Sequence, residues 1–363
     1  MKRDLFRAVQ FTSPGWLALV LVLWLPAPAS ADPLSATWKT REINGLAYVS
    51  ISDVANAFGM EKGKRRANKR EIVYTGDAHR LAVKTGTREA MIDGVRHWLS
   101  YPSLTKSSST YVSLADLRET LIPAMSPASV KTTAPVRTVV FDPGHGGHNR
   151  GAIGPQGYEK DYALDTVKRA RRILEAKGIK VVQSRLSDFF VPLYDRPEMT
   201  ENYEKPIFVS VHFNAASWRP SATGIEVFAL PAAGLPATGK EPNRTLDHRD
   251  AAGNSLATAS FVLANTMHHS LLGKMPTSFD RGVKRERFVV LRTAEVPAIL
   301  IEGGFLTNSA EAKAIHSASW REKLAEAIAT GILSYIELAN EKRLPKRVWD
   351  YGRQSTDSFV TED

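Results

Sequence analysis

Apolar positions change their spacing along the chain, and the change near residue 130 separates two kinds of pattern. Beyond that point, short apolar runs alternate with longer segments whose apolar residues recur every three or four positions. The short runs predict strands at residues 136–141, 179–182, 207–211, 224–230, 288–291 and 298–301. The longer segments predict helices at residues 161–176, 255–272 and 320–338. Strands that alternate with helices are typical of an α/β fold with a mostly parallel sheet that is flanked by helices on both faces.

Residues 38–125 show a different pattern, which predicts a small mixed α+β domain. The heptapeptide YVSISDV at residues 48–54 returns as YVSLADL at residues 111–117. Each copy predicts a strand that runs into a helix, with a serine at the helix start and an acidic residue in its first turn. Runs with strand-like alternation lie between the two copies, at residues 71–74, 80–83 and 90–93. The repeat therefore predicts two similar halves that pack together.

The first 31 residues have the composition of a secretory signal peptide. Lys2, Arg3 and Arg7 form a basic start, residues 16–25 are apolar, and residues 29–31 supply the small side chains of a cleavage site. The apolar run is shorter than the roughly 20 residues that cross a bilayer. We therefore expect export with removal of residues 1–31, to the periplasm or on to the medium, and no membrane span in the mature chain.

The composition of the remaining residues indicates where the predicted domains begin and end. Residues 126–136 (SPASVKTTAPV) are rich in Ser, Thr, Pro and Ala, which predicts a linker. We accordingly expect an N-terminal domain at 38–125, a catalytic domain at 137–338 and a loose, charged tail at 339–363.

The charge balance indicates an anionic partner. The chain carries 48 Lys and Arg against 38 Asp and Glu, a formal net charge of +10. Loss of the signal peptide removes three positive charges and one negative charge, which leaves +8. Such a surplus attracts anionic partners, and export makes nucleic acid the least expected of them. A basic run at residues 62–70 is either a solvated loop or a contact for an anionic glycan or membrane surface.

Four chemically active residues follow predicted strands or open a predicted helix. His145 lies in the glycine-rich turn DPGHGG, His212 and Glu302 come directly after apolar strands, and Glu159 opens the first long helix. Ligands of an open α/β sheet collect at the carboxyl ends of its strands, so these residues are predicted to share one site. Because the chain has no Cys, a metal there needs His and carboxylate ligands. Two His and one carboxylate form the catalytic zinc pattern, and a further Glu can act as general base.

The stretch from residue 137 to about residue 338 resembles the zinc-dependent N-acetylmuramoyl-L-alanine amidases of the amidase 3 group. The motifs that carry the resemblance occur in the expected order, and they are DPGHGG, EKD, SVHFNA, RGVK, VLR and EGGFLTN. The resemblance implies a six-stranded, mostly parallel sheet and one Zn²⁺ held by His145, Glu159 and His212, with Glu302 as catalytic base. It also implies peptidoglycan as substrate, cleaved between N-acetylmuramic acid and L-alanine for wall remodelling or daughter-cell separation.

Other expectations concern the surroundings of this site. Asn214 and Arg292 are expected to line the substrate cleft, and Phe213 to narrow it or to contact substrate. The polar loop at residues 232–254 is a candidate for covering the site, and the need for a protein activator stays open. His148 and the pair His268–His269 are expected at the surface or behind the ligands, rather than as ligands.

The N-terminal domain resembles, less specifically, the domain named for the N-terminal part of copper amine oxidases, on the basis of its paired YVS motifs. That resemblance implies a binding or positioning module without copper chemistry. Two alternatives to the amidase remain at this stage. One is a related zinc peptidase that cuts within the stem peptide, and the other is a non-catalytic wall-binding protein with a degenerate site.

Overall fold

The structure is a computed structural model, and it describes residues 37–61, 63–66, 70–130, 135–243, 247–249 and 251–341. The predicted signal peptide, residues 131–134 of the predicted linker and residues 342–363 of the predicted tail lie outside the described residues. Lys62 and Lys69 of the basic run also lie outside them. None of the helices in the described part of the chain combines the length and the apolar character that a bilayer crossing requires.

The described residues form seventeen strands and nine α-helices. The strands are β1 Thr40–Ile43, β2 Leu46–Ser50, β3 Lys64–Arg66, β4 Glu71–Thr75, β5 Arg80–Lys84, β6 Glu89–Ile92, β7 Val95–Trp98, β8 Leu104–Lys106, β9 Ser109–Ser113, β10 Thr138–Pro143, β11 Ile153–Gly154, β12 Gly157–Tyr158, β13 Lys180–Gln183, β14 Pro206–Asn214, β15 Ile225–Ala229, β16 Asp280–Arg285 and β17 Ala298–Phe305. The helices are α1 Ile51–Ala57, α2 Leu114–Asp116, α3 Ile122–Met125, α4 Glu159–Glu175, α5 Asp195–Glu198, α6 Ala257–Lys274, α7 Val289–Arg292, α8 Ser309–His316 and α9 Ala318–Glu341.

A large sheet organises the described residues. Its eleven described strands follow the order β13-β10-β14-β17-β15-β16-β7-β6-β5-β4-β3. From β13 to β17 neighbouring strands are parallel, β15 is antiparallel to β17, and β16 is parallel to β15. Because β10, β14 and β17 are parallel neighbours, their carboxyl ends meet at one edge. The mixed α/β fold with helices around a large sheet is therefore confirmed.

The core forms on both faces of the sheet, and the alternation along β10 shows it. Val139 and Phe141 belong to the main hydrophobic cluster, together with apolar residues of α4, α6 and α9. Val140 faces the other way into a second cluster, which includes Val290 and Leu291 of α7. This alternation follows from the pleat of a strand, which directs successive side chains to opposite faces. A strand buried on both faces reads as a continuous apolar run.

The N-terminal repeat meets at a pair of strands. β2 and β9 are antiparallel and pair Tyr48 with Ser113 within the four-stranded sheet β1-β2-β9-β8. Ser113 caps the second helix, because its side-chain oxygen accepts a hydrogen bond from the backbone N–H of Asp116 at 2.9 Å. A π-helical turn, Leu117–Leu121, then separates α2 from α3. Strands β4 to β7 form an antiparallel meander that continues the large sheet.

Several elements differ from the sequence-based prediction. Residues 288–291 were expected to form a strand, but Phe288 is the N-cap of helix α7, which buries Val290 and Leu291 in the second cluster. A four-residue apolar run has too few positions to distinguish the two periodicities. Strand β16 and helix α8 were not predicted, since β16 (DRGVKR) consists mainly of charged residues.

Candidate metal centre

Three parallel strands bring the predicted site residues to one edge of the sheet. β10 ends two residues before His145, and its last residue, Pro143, pairs with Val211 of β14. The next residue of β14, His212, pairs with Glu302 of β17. The sequence prediction that these residues share an edge is therefore met by the strand register.

Glu159 joins the two histidines. Its Oε2 lies 3.0 Å from Nε2 of His145, and its Oε1 lies 2.8 Å from Nδ1 of His212. The backbone N–H groups of Ala152 and Phe213 donate to the same two oxygens, at 2.7 and 3.1 Å. With one donor atom taken from each, the ligand atoms of His145, Glu159 and His212 lie within 4.8 Å of one another. This group could hold a metal ion.

The electrostatics of Glu159 favour its carboxylate form. Burial acts to raise the pKa of Glu159, but the hydrogen bonds and positive charge of His145 and His212 outweigh it and hold that pKa well below its usual range. Burial likewise opposes protonation of His145, whereas its contact with Glu159 raises the pKa of the imidazole. The lowered pKa keeps Glu159 anionic, as a metal ligand requires, and the raised pKa of His145 reflects the attraction between its imidazole and that carboxylate.

Glycines leave the space that this arrangement needs. A Cβ atom at Gly144 would lie 2.3 Å from Cε1 of His212. At Gly151, whose φ is +67°, a Cβ would lie 2.4 Å from Oε2 of Glu159. Such separations are far below van der Waals contact, so larger side chains at either position would displace the candidate ligands.

Two buried arginines, which the sequence did not single out, fix the turn that carries His145. That residue has a φ of 61°, which costs free energy for a residue with a side chain. Arg196 donates to the carbonyl of His145 at 2.8 Å and to the carboxylate of Asp142 at 2.7 Å. Arg185 donates to the carbonyl of Gly144 at 2.8 Å. Arg185 and Arg196 lie 41 and 51 positions from the carbonyls that they contact in the turn, and no local sequence signal marks them.

Glu302 lies beside the three candidate ligands without belonging to their group. Its Oε2 is buried and has no hydrogen-bond partner among the described residues. Burial, followed by the negative charges of Glu159 and Glu226, raises the pKa of Glu302 well above its usual value, against the opposing charge of Lys284. A carboxyl whose pKa is raised accepts a proton more readily than an ordinary glutamate does, as a general base requires.

Glu226 is a further acidic residue of the site that sequence reasoning missed. It pairs with Glu302 across β15 and β17 and is 3% exposed. Its Oε1 accepts a hydrogen bond from Nδ2 of Asn214 at 2.7 Å, and its Oε2 accepts one from Nε of Arg281 at 2.9 Å and another from Lys284. Arg281 and Lys284 belong to the RGVK motif, so that motif supplies the cations that balance a buried carboxylate.

The candidate ligands and Glu302 line one cavity of about 510 Å³, called the metal cavity below. Asn214 is also part of its lining, as expected, whereas Arg292 lines a neighbouring cavity and donates to the hydroxyl of Tyr194 at 3.1 Å. Phe213 contributes to the lining of the same cavity, while its ring is 1% exposed and packs against Tyr162 and Trp320.

A loop and three histidines near the site also had expected positions, which the structure tests. Seven described residues of the loop 232–254 line the neighbouring cavity with Arg292, and none of its described residues lines the cavity of the candidate ligands. His148 is exposed against Phe190, as expected for a surface residue. His268 and His269 are buried in α6, and the expectation of a surface position is wrong for both.

Exposed apolar side chains gather around the same edge. Among the described residues, those that are large, hydrophobic and strongly exposed are Ile153, Leu186, Phe189, Phe190, Leu193, Tyr194 and Trp218. All of them lie in the segments that follow β10, β13 and β14, whose carboxyl ends form the site. Trp218 is 85% exposed, and Phe190 and Leu193 also line the metal cavity. Exposed apolar surface concentrated in one place marks a binding surface.

Comparisons with known proteins agree on one family. The family model described as N-acetylmuramoyl-L-alanine amidase (Amidase_3) matches residues 139–334. The chain is 30% identical over 299 residues to N-acetylmuramoyl-L-alanine amidase AmiA of Salmonella typhimurium, which covers 76% of this chain and 98% of that protein. It is 30% identical over 292 residues to AmiA of Escherichia coli, with 74% and 96% covered. Amidase AmiC2 of Nostoc punctiforme, a solved structure, is 34% identical with a TM-score of 0.47 and covers 55% of this chain and 97% of its own.

Proposed function

The chain belongs to the Amidase_3 family and is an N-acetylmuramoyl-L-alanine amidase, and from this premise we propose that it works as a zinc enzyme. His145, Glu159 and His212 are the proposed ligands of one Zn²⁺, and Glu302 is the proposed catalytic base. The observation that carries the proposal is the convergence of two imidazoles and one carboxylate at the edge of the sheet, with a second carboxyl beside them.

The residues present fit a zinc ion. Two His and one carboxylate are donors that zinc accepts, and three protein ligands leave the fourth tetrahedral position open for water or substrate. The unpartnered Oε2 of Glu302 supports the same interpretation, since a buried carboxyl oxygen without a partner requires a functional or structural explanation. When bound, zinc supplies a Lewis acid that polarises the amide carbonyl and lowers the pKa of water.

The residues of the chain supply the proton chemistry. Glu302 accepts a proton from the attacking water and passes it to the departing nitrogen of L-alanine. Its raised pKa suits this double role, because a carboxyl with a raised pKa is a stronger base and holds the proton between the two transfers. The bond cleaved is the amide between N-acetylmuramic acid and L-alanine. Asn214 and Arg292 are proposed to border the substrate.

The surface around the site supports a polymeric substrate. A peptidoglycan strand extends beyond a cavity of about 510 Å³, so its neighbouring sugars must contact the rim. The aromatic rings of Phe189, Tyr194 and Trp218 are exposed there, and flat rings pack well against the apolar face of a sugar. The proposed role is remodelling of the cell wall or separation of daughter cells, after export to the periplasm.

Digestion of purified peptidoglycan tests the activity and its metal dependence. With zinc we expect free stem peptides that begin with L-alanine, together with glycan that retains intact lactyl-muramic acid, identified by mass spectrometry. A chelator should abolish both products, and added zinc should restore them. Fragments cut within the stem peptide would instead identify the activity as that of a peptidase. Equal rates with and without the chelator would contradict zinc dependence.

A further inference from the structure

Strand β7 of the N-terminal part is bound directly to strand β16 beside the site. His97 of β7 pairs with Val283 in parallel register. The backbone N–H of Arg96 donates to Oδ2 of Asp280 at 2.8 Å, and the indole N–H of Trp98 donates to the carbonyl of Arg281 at 2.9 Å. These bonds fix the position of β16 along β7.

Strands β7 and β16 approach each other too closely for a side chain at Gly282. Gly282 of β16 has a φ of +89°, and a Cβ there would lie 2.7 Å from the carbonyl oxygen of Arg96. Glycine permits both this backbone conformation and the close contact. Strand β7 therefore fixes the positions of the residues that flank Gly282. These residues include Arg281 and Lys284, the two cations of the RGVK motif.

Those two cations reach the catalytic edge. Arg281 and Lys284 both donate to Oε2 of Glu226, which is paired with Glu302 across the sheet. The ammonium of Lys284 also lies 5.7 Å from the ring centroid of Trp98 and 5.8 Å from that of Phe228, which is cation–π distance. Trp98 thus contacts both residues, the backbone carbonyl of Arg281 through its indole N–H and the ammonium of Lys284 through its ring.

We propose that Trp98 is a positioning residue of the amidase, and that the N-terminal part is a component of the active enzyme through it. Trp98 holds Arg281 and Lys284, these hold Glu226, and Glu226 holds Asn214 at the wall of the metal cavity. A carboxylate that is 3% exposed depends on its ion pairs, and loss of one partner leaves a poorly compensated buried charge. This inference rests on the proposed function, because the residue positioned is next to Glu302.

The test compares tryptophan substitutions within the N-terminal part. In Trp98→Ala we expect kcat on purified peptidoglycan to fall about tenfold or more, because small displacements of a site cost large factors in rate. The KM and the bound zinc should stay unchanged, since neither the metal ligands nor the exposed rim contacts Trp98. Trp98→Phe retains a ring beside Lys284 and should recover part of the loss. Trp38→Ala, another partly buried tryptophan of the N-terminal part, should lower the melting temperature and leave kcat unchanged.

A double-mutant cycle distinguishes positioning from general destabilisation. If Trp98 acts through Lys284, the change Trp98→Ala should lower kcat far less in a Lys284→Met background than in the wild type. Thermal melts establish that each variant is folded at the assay temperature. Additive effects, or an equal fall of kcat in Trp38→Ala, would overturn the proposal. A wild-type protein that releases no stem peptide in the presence of zinc would instead contradict the proposed function.

Discussion

At the scale of single residues, the proposed metal ligands and the proposed base are different side chains. We predict that Glu302→Gln lowers the rate of stem-peptide release by about 10² to 10⁴, the range lost with a general base, and retains zinc, because Glu302 is outside the ligand group. The measurement pairs mass-spectrometric product release with zinc content after dialysis. His212→Ala is the matched comparison and should lose both zinc and activity. Full activity of Glu302→Gln would remove Glu302 from the mechanism.

The glycine beside His212 offers a second residue-scale prediction. In Gly144→Ala the new methyl would overlap the imidazole, so we expect zinc affinity to fall about 10- to 100-fold, the effect of disturbing a ligand's surroundings. Titration with a competing chelator measures it. Gly154→Ala is the control, because its nearest neighbour would be 3.3 Å away, at the flexible end of Leu306. Equal zinc affinity in both variants would show that the turn adjusts freely.

How far the sequence predicts the site depends on whether a residue carries a local signal. His145, His212 and Glu302 follow or end apolar strands whose parallel direction brings them to one edge, and Glu159 reaches that edge from the start of α4. Glu226 also lies in a predicted strand, but its role appears only through partners 12 to 58 positions away in sequence. Contacts of that kind arise from packing, and no periodicity encodes them.

At the scale of elements, the strands buried on both faces were predicted correctly, whereas a charged strand was missed. Strands β10, β14 and β17 are buried on both faces and were recognised from their apolar runs. Strand β16 has the sequence DRGVKR, which resembles a surface loop. It is a strand because Glu226 neutralises two of its cations and because β15 and β7 pair with its two edges.

The loops after the strands carry a prediction about substrate size. Trp218→Ala should lower the rate on intact peptidoglycan severalfold and leave cleavage of a small soluble muramoyl-peptide unchanged, because a residue that is 85% exposed adds little to the fold. Initial rates on both substrates provide the test. Tyr111→Ala, an aromatic change in β9 of the N-terminal sheet, serves as the control. A parallel fall on both substrates would mean that Trp218 does not contact the extended glycan.

At the scale of the whole molecule, the sequence suggested two units joined by a linker, whereas the described residues from both sides share one sheet and one core. Val49, Leu81, Phe141 and Ile328 belong to the same hydrophobic cluster. The composition of residues 126–136 is that of a linker, but composition does not report which strands will pair. Neither β7 nor β16 has a sequence pattern that predicts their pairing.

Buried histidines near this pairing make the stability of the whole protein dependent on pH. His97 of β7 and His269 of α6 are buried, and burial lowers their pKa values to about 4 and about 3. In the unfolded chain both titrate near ~6.5. The folded state therefore resists protonation that the unfolded state accepts, so the stability present above pH 6.5 is lost as pH falls from 6.5 toward 4.

We predict that the free energy of unfolding falls more steeply over this window in the wild type than in His97→Gln. By linkage, His97 alone accounts for about 3 kcal/mol at pH 4, since each pKa unit is worth ~1.4 kcal/mol. Urea denaturation at pH 7.5, 6.0 and 5.0, with a chelator in every sample, removes the contribution of zinc ligation from the comparison. The difference between the two proteins should shift with pH in favour of the variant, because glutamine does not titrate. A difference that stays constant from pH 7.5 to 5.0 would mean that His97 is protonated as readily in the folded protein as in the unfolded chain.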